Sequence, residues 1–519
     1  MVDIKINQSL YESILVASKE AGRNVALYYF NEKFRWDRFI YRVNQFAQGL
    51  RQDGVKPGDV VTVLLPNIPE AIYLMYAVSQ IGAILNPLHP LLPKAEVLRT
   101  ISQTKSKHLY CLQIRYNEFK DEKLIVYDFN PAHELPCYKR LFAKQPKANH
   151  ECPYYECEPL HEYVHMESED AVYLNSGGTS GVPKIVRLSS ASINALCANA
   201  PWIVGEKIKD NSGILCVMPI FHGFGLAVGI HLSLALGYHA ALMPKFNRKT
   251  AVKMLKRKQY SILLGIPVFY EKMLRYPGFA GKKLRQLDFA FVGGDFALPS
   301  LCERFNKRMK EGGSQCKLYE GYGLTETVSL FSVNNDRFHK EGSVGKNMPN
   351  VKFKVVDEKM KEVPIGENGE LICGGLTLMN GYIGTDDPFV FIDKEKYVKT
   401  GDNVHQDEDG FIYFNQRIKR IIKVSGVPVF PHEVEYAAST LNIVYEAAAI
   451  GVESEKFGSV IKLYIVLNKH YNGSREAAEA AIREEIKKTV GIYANPQEIV
   501  FIESLPHTEV GKVDLKQLH

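Results

Sequence analysis

Among the residues able to do chemistry, the densest group lies in YLNSGGTSGVPKIVRLS, residues 173–189. Gly177, Gly178 and Gly181 let backbone amides crowd an anion, Ser176, Thr179 and Ser180 add donors, and Lys184 adds a positive charge. That combination suits a phosphate. A Walker loop sets its lysine directly after a glycine and before Ser or Thr; here Val182 and Pro183 separate Gly181 from Lys184, and Ile185 follows. Taken alone, the stretch serves equally well as a Gly/Ser turn between a strand and a helix.

Four further stretches carry reactive groups. YEGYGLTE (319–326) sets Glu320, Gly321, Tyr322, Thr325 and Glu326 on one tight loop: a ring to stack on a base, a hydroxyl donor for a phosphate, a carboxylate for a hard cation. YVKTGD (397–402) ends in Asp402, which could accept two ribose hydroxyls. PHTEVGKVD offers Lys512 on a glycine turn as a compact positive charge. PIFHGFG holds His222. Singly, each has a plain reading: a core ring, a turn aspartate, a surface lysine, a buried polar group.

Parallel sheets covered by helices must position these loops. Apolar β-rich runs alternate with helical patterns: DVVTVLLP then EAIYLMYAVSQIG, DAVYLNSGG then SASINALCANA, GILCVMP then LAVGIHLSLALG, SILLGIP then VFYEKMLR, LDFAFVGGD then LPSLCERFNKRMK. After about residue 340 shorter strands with turn signals predict a small antiparallel or barrel-like region closing near Gln416. Beyond it, about 100 residues of mixed strands and helices form a small α+β domain. The expected fold is therefore α/β, with a large N-terminal domain (1–416), a small C-terminal domain (417–519), and a short basic junction, QRIKR.

Composition agrees with an ordinary globular protein: 519 residues, 46% hydrophobic and 24% charged, with a net charge of +6 too small and scattered to suggest nucleic-acid binding. Nine irregularly spaced cysteines suit a reducing compartment, and no signal-peptide pattern opens the chain, so cytoplasm is expected. The uncharged run from Asn211 to Pro244 is broken by prolines, glycines and three histidines. It reads as a buried strand, a glycine-rich turn and a core helix, not a transmembrane segment.

Together and in this order, the motifs resemble the adenylate-forming enzymes: acyl-CoA synthetases, luciferases and peptide-synthetase adenylation domains. SGGTSGVPK is similar to that family's Ser/Thr/Gly-rich loop, GYGLTE to its aromatic-Gly-x-Thr-Glu motif, TGD to its ribose aspartate, and QRIKRIIKVSGVPVFPHEVE to its inter-domain signature. The resemblance implies that residues 176–184 hold the β- and γ-phosphates of ATP. It implies that Thr325 binds the α-phosphate and Glu326 a magnesium ion, and that Tyr322 stacks on adenine framed by Gly294, Asp295 and Phe296. Asp402 and Arg417 would hold the ribose, and Lys512 would bridge the carboxylate and the α-phosphate in the transition state. His222 resembles a histidine at the mouth of the acyl pocket, Lys419 occupies the hinge position, and Lys423 stands where luciferases carry a lysine used in oxidation.

Departures from the pattern are Gly177 for a hydroxyl residue, Ile185 for a glycine, Asp295 for a small residue and Gln416 for a glycine; none removes a charge that the chemistry needs. The uncharged PIFHGFG lacks the aspartate that amino-acid-activating members use, so the resemblance implies a carboxylic acid without an ammonium group. The expected activity is an AMP-forming carboxylic acid–CoA ligase. Two alternatives are a loader of an acyl carrier protein and a non-catalytic binder of nucleotide or acyl-adenylate.

Overall fold

The computed structural model describes residues 3–30, 32–130, 134, 153–165, 170–176, 184–205, 212–257, 260–295, 297, 299–385, 387–420, 422–424, 427–454, 458–508 and 513–518. The predicted alternation of apolar strand and helix resolves into two stacked α/β layers. A seven-stranded sheet runs in the order Gly381–Tyr382, Ile185–Ser189, Asp170–Asn175, Ile84–Pro87, Val60–Leu64, His108–Leu112, Ile125–Phe129. Its central members are parallel, and Val60–Leu64 is buried at every position, as a strand covered on both faces should be.

The second sheet has nine strands, with Ile262–Gly265, Phe289–Val292 and Leu318–Tyr322 adjacent and parallel at its heart. A hairpin from the N-terminal region, Val25–Tyr29 with Glu32–Arg35, completes its far edge. That pairing crosses some 200 positions of sequence, Leu27 lying opposite Ala240, and no local pattern announces it. One hydrophobic core spans both layers.

Two local expectations are corrected. Between the strand Asp170–Asn175 and the helix Ser190–Ala198 stands a further strand, Ile185–Ser189, antiparallel to the first. The glycine-rich loop therefore joins two strands of a hairpin, not a strand and a helix. The core helix predicted in LAVGIHLSLALG is π-helical over Phe224–His231 and becomes α-helical only at Leu232–Ala235. Close packing fixes its start: a Cβ on Gly225 would fall 2.0 Å from the Pro219 carbonyl oxygen, so only glycine fits there.

The antiparallel region forms as expected from Val351–Val356, Gly369–Gly375, Phe389–Ile392, Glu395–Gln406 and Ile412–Arg417. Beyond it a 3₁₀ turn, Ile418–Arg420, leads to a sheet of Ile422–Val424, Val427–Val429, Val444–Ser454, Gly458–Leu467 and Glu498–Phe501, covered by helices Pro431–Ser439 and Arg475–Thr489. This unit has a core of its own, including Val434, Leu463, Ile482 and Ile486. It meets the larger part where the Arg275 guanidinium lies 3.6 Å from the centre of the Tyr445 ring. Among the described residues, no helix is long and apolar enough to cross a membrane.

Candidate active site

The carboxyl ends of the parallel strands are where an open α/β sheet places its ligands. At those ends Gly265, Gly293 and Gly321 lie side by side: the Gly293 amide donates to the Gly265 carbonyl at 3.2 Å, and a Cβ on Gly293 would come within 2.7 Å of the Gly321 oxygen. Gly294 follows at φ 79°, and Asp295 is exposed beside it. Bare backbone is thus presented along one edge of a shallow platform. A flat ring could lie there against peptide groups.

From Leu318–Tyr322 the chain runs out to a 3₁₀ turn, Thr325–Thr327, and returns as Ser332–Val333, pairing Tyr322 with Ser332 and Gly321 with Val333. Thr325 and Glu326 therefore sit at a hairpin tip. The return demands left-handed backbone at Val328 (φ 55°) and Ser329 (φ 73°), although neither is glycine. For a β-branched residue this costs roughly 1–2 kcal/mol. Complete burial of Val328 and a 2.7 Å bond from the Ser329 amide to the Leu324 carbonyl hold it in place. Such strain is characteristic of functional turns. His222, just beyond the carboxyl end of the parallel strand Gly213–Cys216 of the same sheet, joins this tip because Gly223 abuts Ser329: a Cβ there would meet the Ser329 Oγ at 2.1 Å.

Asp402, on the strand Glu395–Gln406, is fully buried. It pairs in register with Arg417, whose Nε lies 2.9 Å from Oδ1, and it accepts the Tyr322 hydroxyl on Oδ2 at 2.5 Å. Burial, then the Asp402 carboxylate, push the Tyr322 hydroxyl well above its usual range, so it remains a donor. The arrangement joins ring, carboxylate and guanidinium from three elements. Arg417 keeps 44% of its side chain exposed, leaving guanidinium donors for a ligand.

Glu326 is held from a different direction. Its Oε1 accepts the Tyr382 hydroxyl at 2.9 Å, and its backbone carbonyl accepts the Met379 amide at 2.9 Å. Lys184, exposed at the end of the phosphate-type loop, places its ammonium 4.5 Å from the centre of the same Tyr382 ring. The loop's ends close on each other, the Ser176 amide donating to the Lys184 carbonyl at 2.8 Å and the Lys184 amide to the Ser176 Oγ at 3.2 Å. Burial, then the Asp402 and Glu326 carboxylates, push the thiol of buried Cys373 well up.

Of the residues named from sequence, Ser176, Lys184, His222, Gly294, Asp295, Gly321, Tyr322, Thr325, Glu326, Asp402 and Arg417 fall on the loops and strand ends just described. Gly177, Gly178, Thr179, Ser180, Gly181, Phe296 and Lys512 lie outside the described residues. Lys423 is on the strand Ile422–Val424. The Glu320 side chain lines a cleft of about 120 Å³ with Cys302, Glu303, His339 and Glu341. Burial there, with Glu341 nearby, pushes its carboxyl up to about 8. Sequence reasoning missed Tyr382, because a tyrosine between two glycines in NGYIG carries no charge to draw notice.

A magnesium ion requires few protein ligands when phosphates and water supply the rest of its octahedron. Glu326 fits that role: one oxygen is fixed by Tyr382, and among the described residues no cluster of three or more His, Cys, Asp or Glu forms a self-sufficient metal cage. The geometry thus offers one carboxylate for a cation, one lysine beside it for phosphate, and a buried carboxylate with an arginine for a polyol.

Comparison with known proteins identifies the family of the chain. Long-chain-fatty-acid–CoA ligase of Bacillus subtilis is 26% identical over 99% of this chain and 94% of its own length. 4-coumarate–CoA ligase 2 of Nicotiana tabacum is 27% identical over 91% of this chain and 86% of its own. The crystal structure of ATP-bound MatB from Rhodopseudomonas palustris shares the fold with a TM-score of 0.85 at 21% identity, covering 97% of each chain. The AMP-binding enzyme profile matches residues 16–383 and the profile of the AMP-binding enzyme C-terminal domain matches residues 433–512, so the chain belongs to the AMP-binding enzyme family.

Proposed function

We propose that this protein is an ATP-dependent, AMP-forming carboxylic acid–CoA ligase acting on a fatty or aryl acid. The observation that carries the reading is the setting of two binding devices on the one hairpin that holds Tyr322 and Glu326: Glu326 with Lys184 around Tyr382, and Asp402 with Arg417 and Tyr322. Asp402 and Arg417 hold the ribose, and Tyr322 with the backbone of Gly294, Asp295 and Phe296 frames the adenine. Residues 176–184 grip the β- and γ-phosphates, Thr325 the α-phosphate, and Glu326 the magnesium ion, which neutralises phosphate charge when bound.

The acid enters past His222. A carboxylate oxygen attacks the α-phosphorus, the new P–O bond forms as the bond to pyrophosphate breaks, and Lys512 stabilises the charge that gathers between them. The sulfur of coenzyme A then attacks the acyl carbonyl, and AMP departs. The relatives named for long-chain fatty acids and 4-coumarate support an acid without an ammonium group, as does uncharged PIFHGFG.

Residues 1–416 and 417–519 act as two domains with a hinge near Lys419, a reading supported by the separate C-terminal core and the short 3₁₀ turn at 418–420. A residue at an element end can absorb the dihedral change without being glycine. A cytoplasmic location is supported by the free thiols of the seven described cysteines.

The test is pyrophosphate release from ATP with a panel of aliphatic and aromatic acids, with and without coenzyme A, beside Lys512→Ala. Acid-dependent release that coenzyme A converts to multiple turnovers, and that Lys512→Ala lowers about 100- to 1000-fold, supports the ligase. A single burst indifferent to coenzyme A transfers the case to a carrier-protein acceptor; ATP binding without release for any acid transfers it to a non-catalytic binder.

A further inference from the structure

Tyr382 touches two groups that belong to different parts of the machinery, and its place in the fold explains how. The two-residue strand Gly381–Tyr382 adds to the edge of the seven-stranded sheet, Tyr382 opposite Val186 and Gly381 opposite Arg187. Three further bonds fix the segment. The Asn380 amide donates to the Arg187 carbonyl at 2.8 Å, its side-chain Nδ2 donates to Asp170 Oδ1 at 2.9 Å, and Asp170 Oδ2 accepts Arg187 Nε at 2.7 Å. The Met379 amide reaches the other way, to the backbone of Glu326. The segment is a rivet between the sheet that carries Lys184 and the hairpin tip that carries Glu326.

Resting on the ligase reading above, we propose that Tyr382 is the positioning residue that couples the phosphate lysine to the metal carboxylate. Its hydroxyl donates to Glu326 Oε1 at 2.9 Å, which fixes the carboxylate's rotation and leaves Oε2 as the oxygen that would hold the cation. Its ring face carries the Lys184 ammonium at 4.5 Å, keeping the lysine beside the carboxylate without an ion pair between them. A direct Lys184–Glu326 pair would cancel the two charges that the phosphates and the cation each need. Interposing a ring keeps both charges near the site while neither spends itself on the other. The contact is weak enough, on the order of 0.5–1 kcal/mol for an exposed cation over a ring, for Lys184 to leave for phosphate.

The proposal separates the hydroxyl from the ring. Tyr382→Phe removes the hydrogen bond and keeps the lysine's platform; Tyr382→Leu removes both. Binding of ATP to the full chain without acid is measured by titration calorimetry with magnesium and, in parallel, with EDTA. The expected result for Tyr382→Phe is an about tenfold loss of the affinity gained from magnesium, the size of one hydrogen bond to a charged group, with metal-free ATP binding unchanged. Tyr382→Leu is expected to show that loss and about threefold weaker metal-free binding as well. In a Glu326→Gln background, Tyr382→Phe should have no further effect on the magnesium gain, a cycle that remains informative if one single variant folds poorly.

Full retention of the magnesium gain by Tyr382→Phe overturns the proposal. So does equal weakening of metal-free and magnesium-bound ATP, which is the mark of general structural damage. Wild-type protein that binds ATP no better with magnesium overturns the ligase reading and this proposal together, so the two failures are distinguishable.

Discussion

Replacing Asp402 by Asn tests the nucleotide site with little change of shape. Asp402 is wholly buried, and its two oxygens are each engaged, one 2.9 Å from Arg417 Nε and one accepting the Tyr322 hydroxyl at 2.5 Å. The amide keeps one acceptor oxygen and the side-chain volume while losing the charge. Hydrogen bonds to a charged partner contribute about 1.5–3 kcal/mol and neutral ones about 0.5–1.5, so each ribose hydroxyl loses about 1 kcal/mol or somewhat more. Two hydroxyls give about 2–3 kcal/mol, equivalent to a 30- to 150-fold rise in KM for ATP.

Stability should fall as well. The Arg417 side chain is nearly half exposed, so solvent screens the ion pair and its loss costs about 1 kcal/mol at most. The buried Tyr322 hydroxyl, left with a neutral acceptor, adds about 1 kcal/mol. Because the ribose is held alike in the bound complex and the transition state, kcat should stay within about threefold of wild type. The assay is pyrophosphate release at varied ATP, run in parallel with 3′-deoxy-ATP. Wild type should lose affinity for the deoxy nucleotide, and Asp402→Asn should lose distinctly less. An unchanged KM for ATP, or a collapse of kcat at unchanged KM, would refute the assignment of Asp402 to the ribose.

Two other perturbations probe the scaffold. His231 is buried between the Tyr76 hydroxyl at 3.1 Å and Asn194 Oδ1 at 2.9 Å, and burial lowers its pKa from 6.5 to about 3. The unfolded chain therefore binds the extra proton between pH 6.5 and 3, so stability falls with pH across that window by up to about 1.4 kcal/mol per unit; urea unfolding from pH 4 to 7 should show a shallower decline for His231→Gln, and an identical decline would remove His231 from the account. Gly323→Ala would place a Cβ 2.2 Å from the Ser329 carbonyl oxygen and 2.7 Å from the Leu330 amide nitrogen, both backbone atoms. The hairpin tip must shift, with an expected fall of about 100-fold in kcat/KM for ATP and a stability loss of about 1–3 kcal/mol; wild-type kinetics would show that the tip need not keep this geometry.

The order of strands and helices was legible from apolar runs, because strands buried on both faces and helices with one buried stripe have different periods. The motifs of the candidate site stood out in the sequence as residue types and spacing. What sequence could not supply was contact between distant segments. Tyr322 and Asp402 stand 80 residues apart and meet only because the antiparallel region folds against the strand ends. Tyr382 was invisible too, its value lying in neighbours distant in sequence: Lys184 at the start of the strand beside it and Glu326 at the hairpin tip of the other sheet. Local strain was equally hidden: Val328 favours extended backbone by its branching, and only complete burial forces it left-handed.

The contact of Arg275 with Tyr445 behaves as a bearing, not a bolt. A planar cation on a ring face has no fixed azimuth, so the small unit can slide and turn over Arg275 before the two part, whereas a hydrogen-bonded ion pair would lose its geometry at once. A half-exposed contact of this kind is worth about 0.5–1 kcal/mol, which on its own biases two orientations by only about two- to fivefold, with the neighbouring Glu446 adding an attraction to Arg275. In the proposed rotation about Lys419, surface substitutions near Tyr445 would trade one half-reaction's dwell time against the other's.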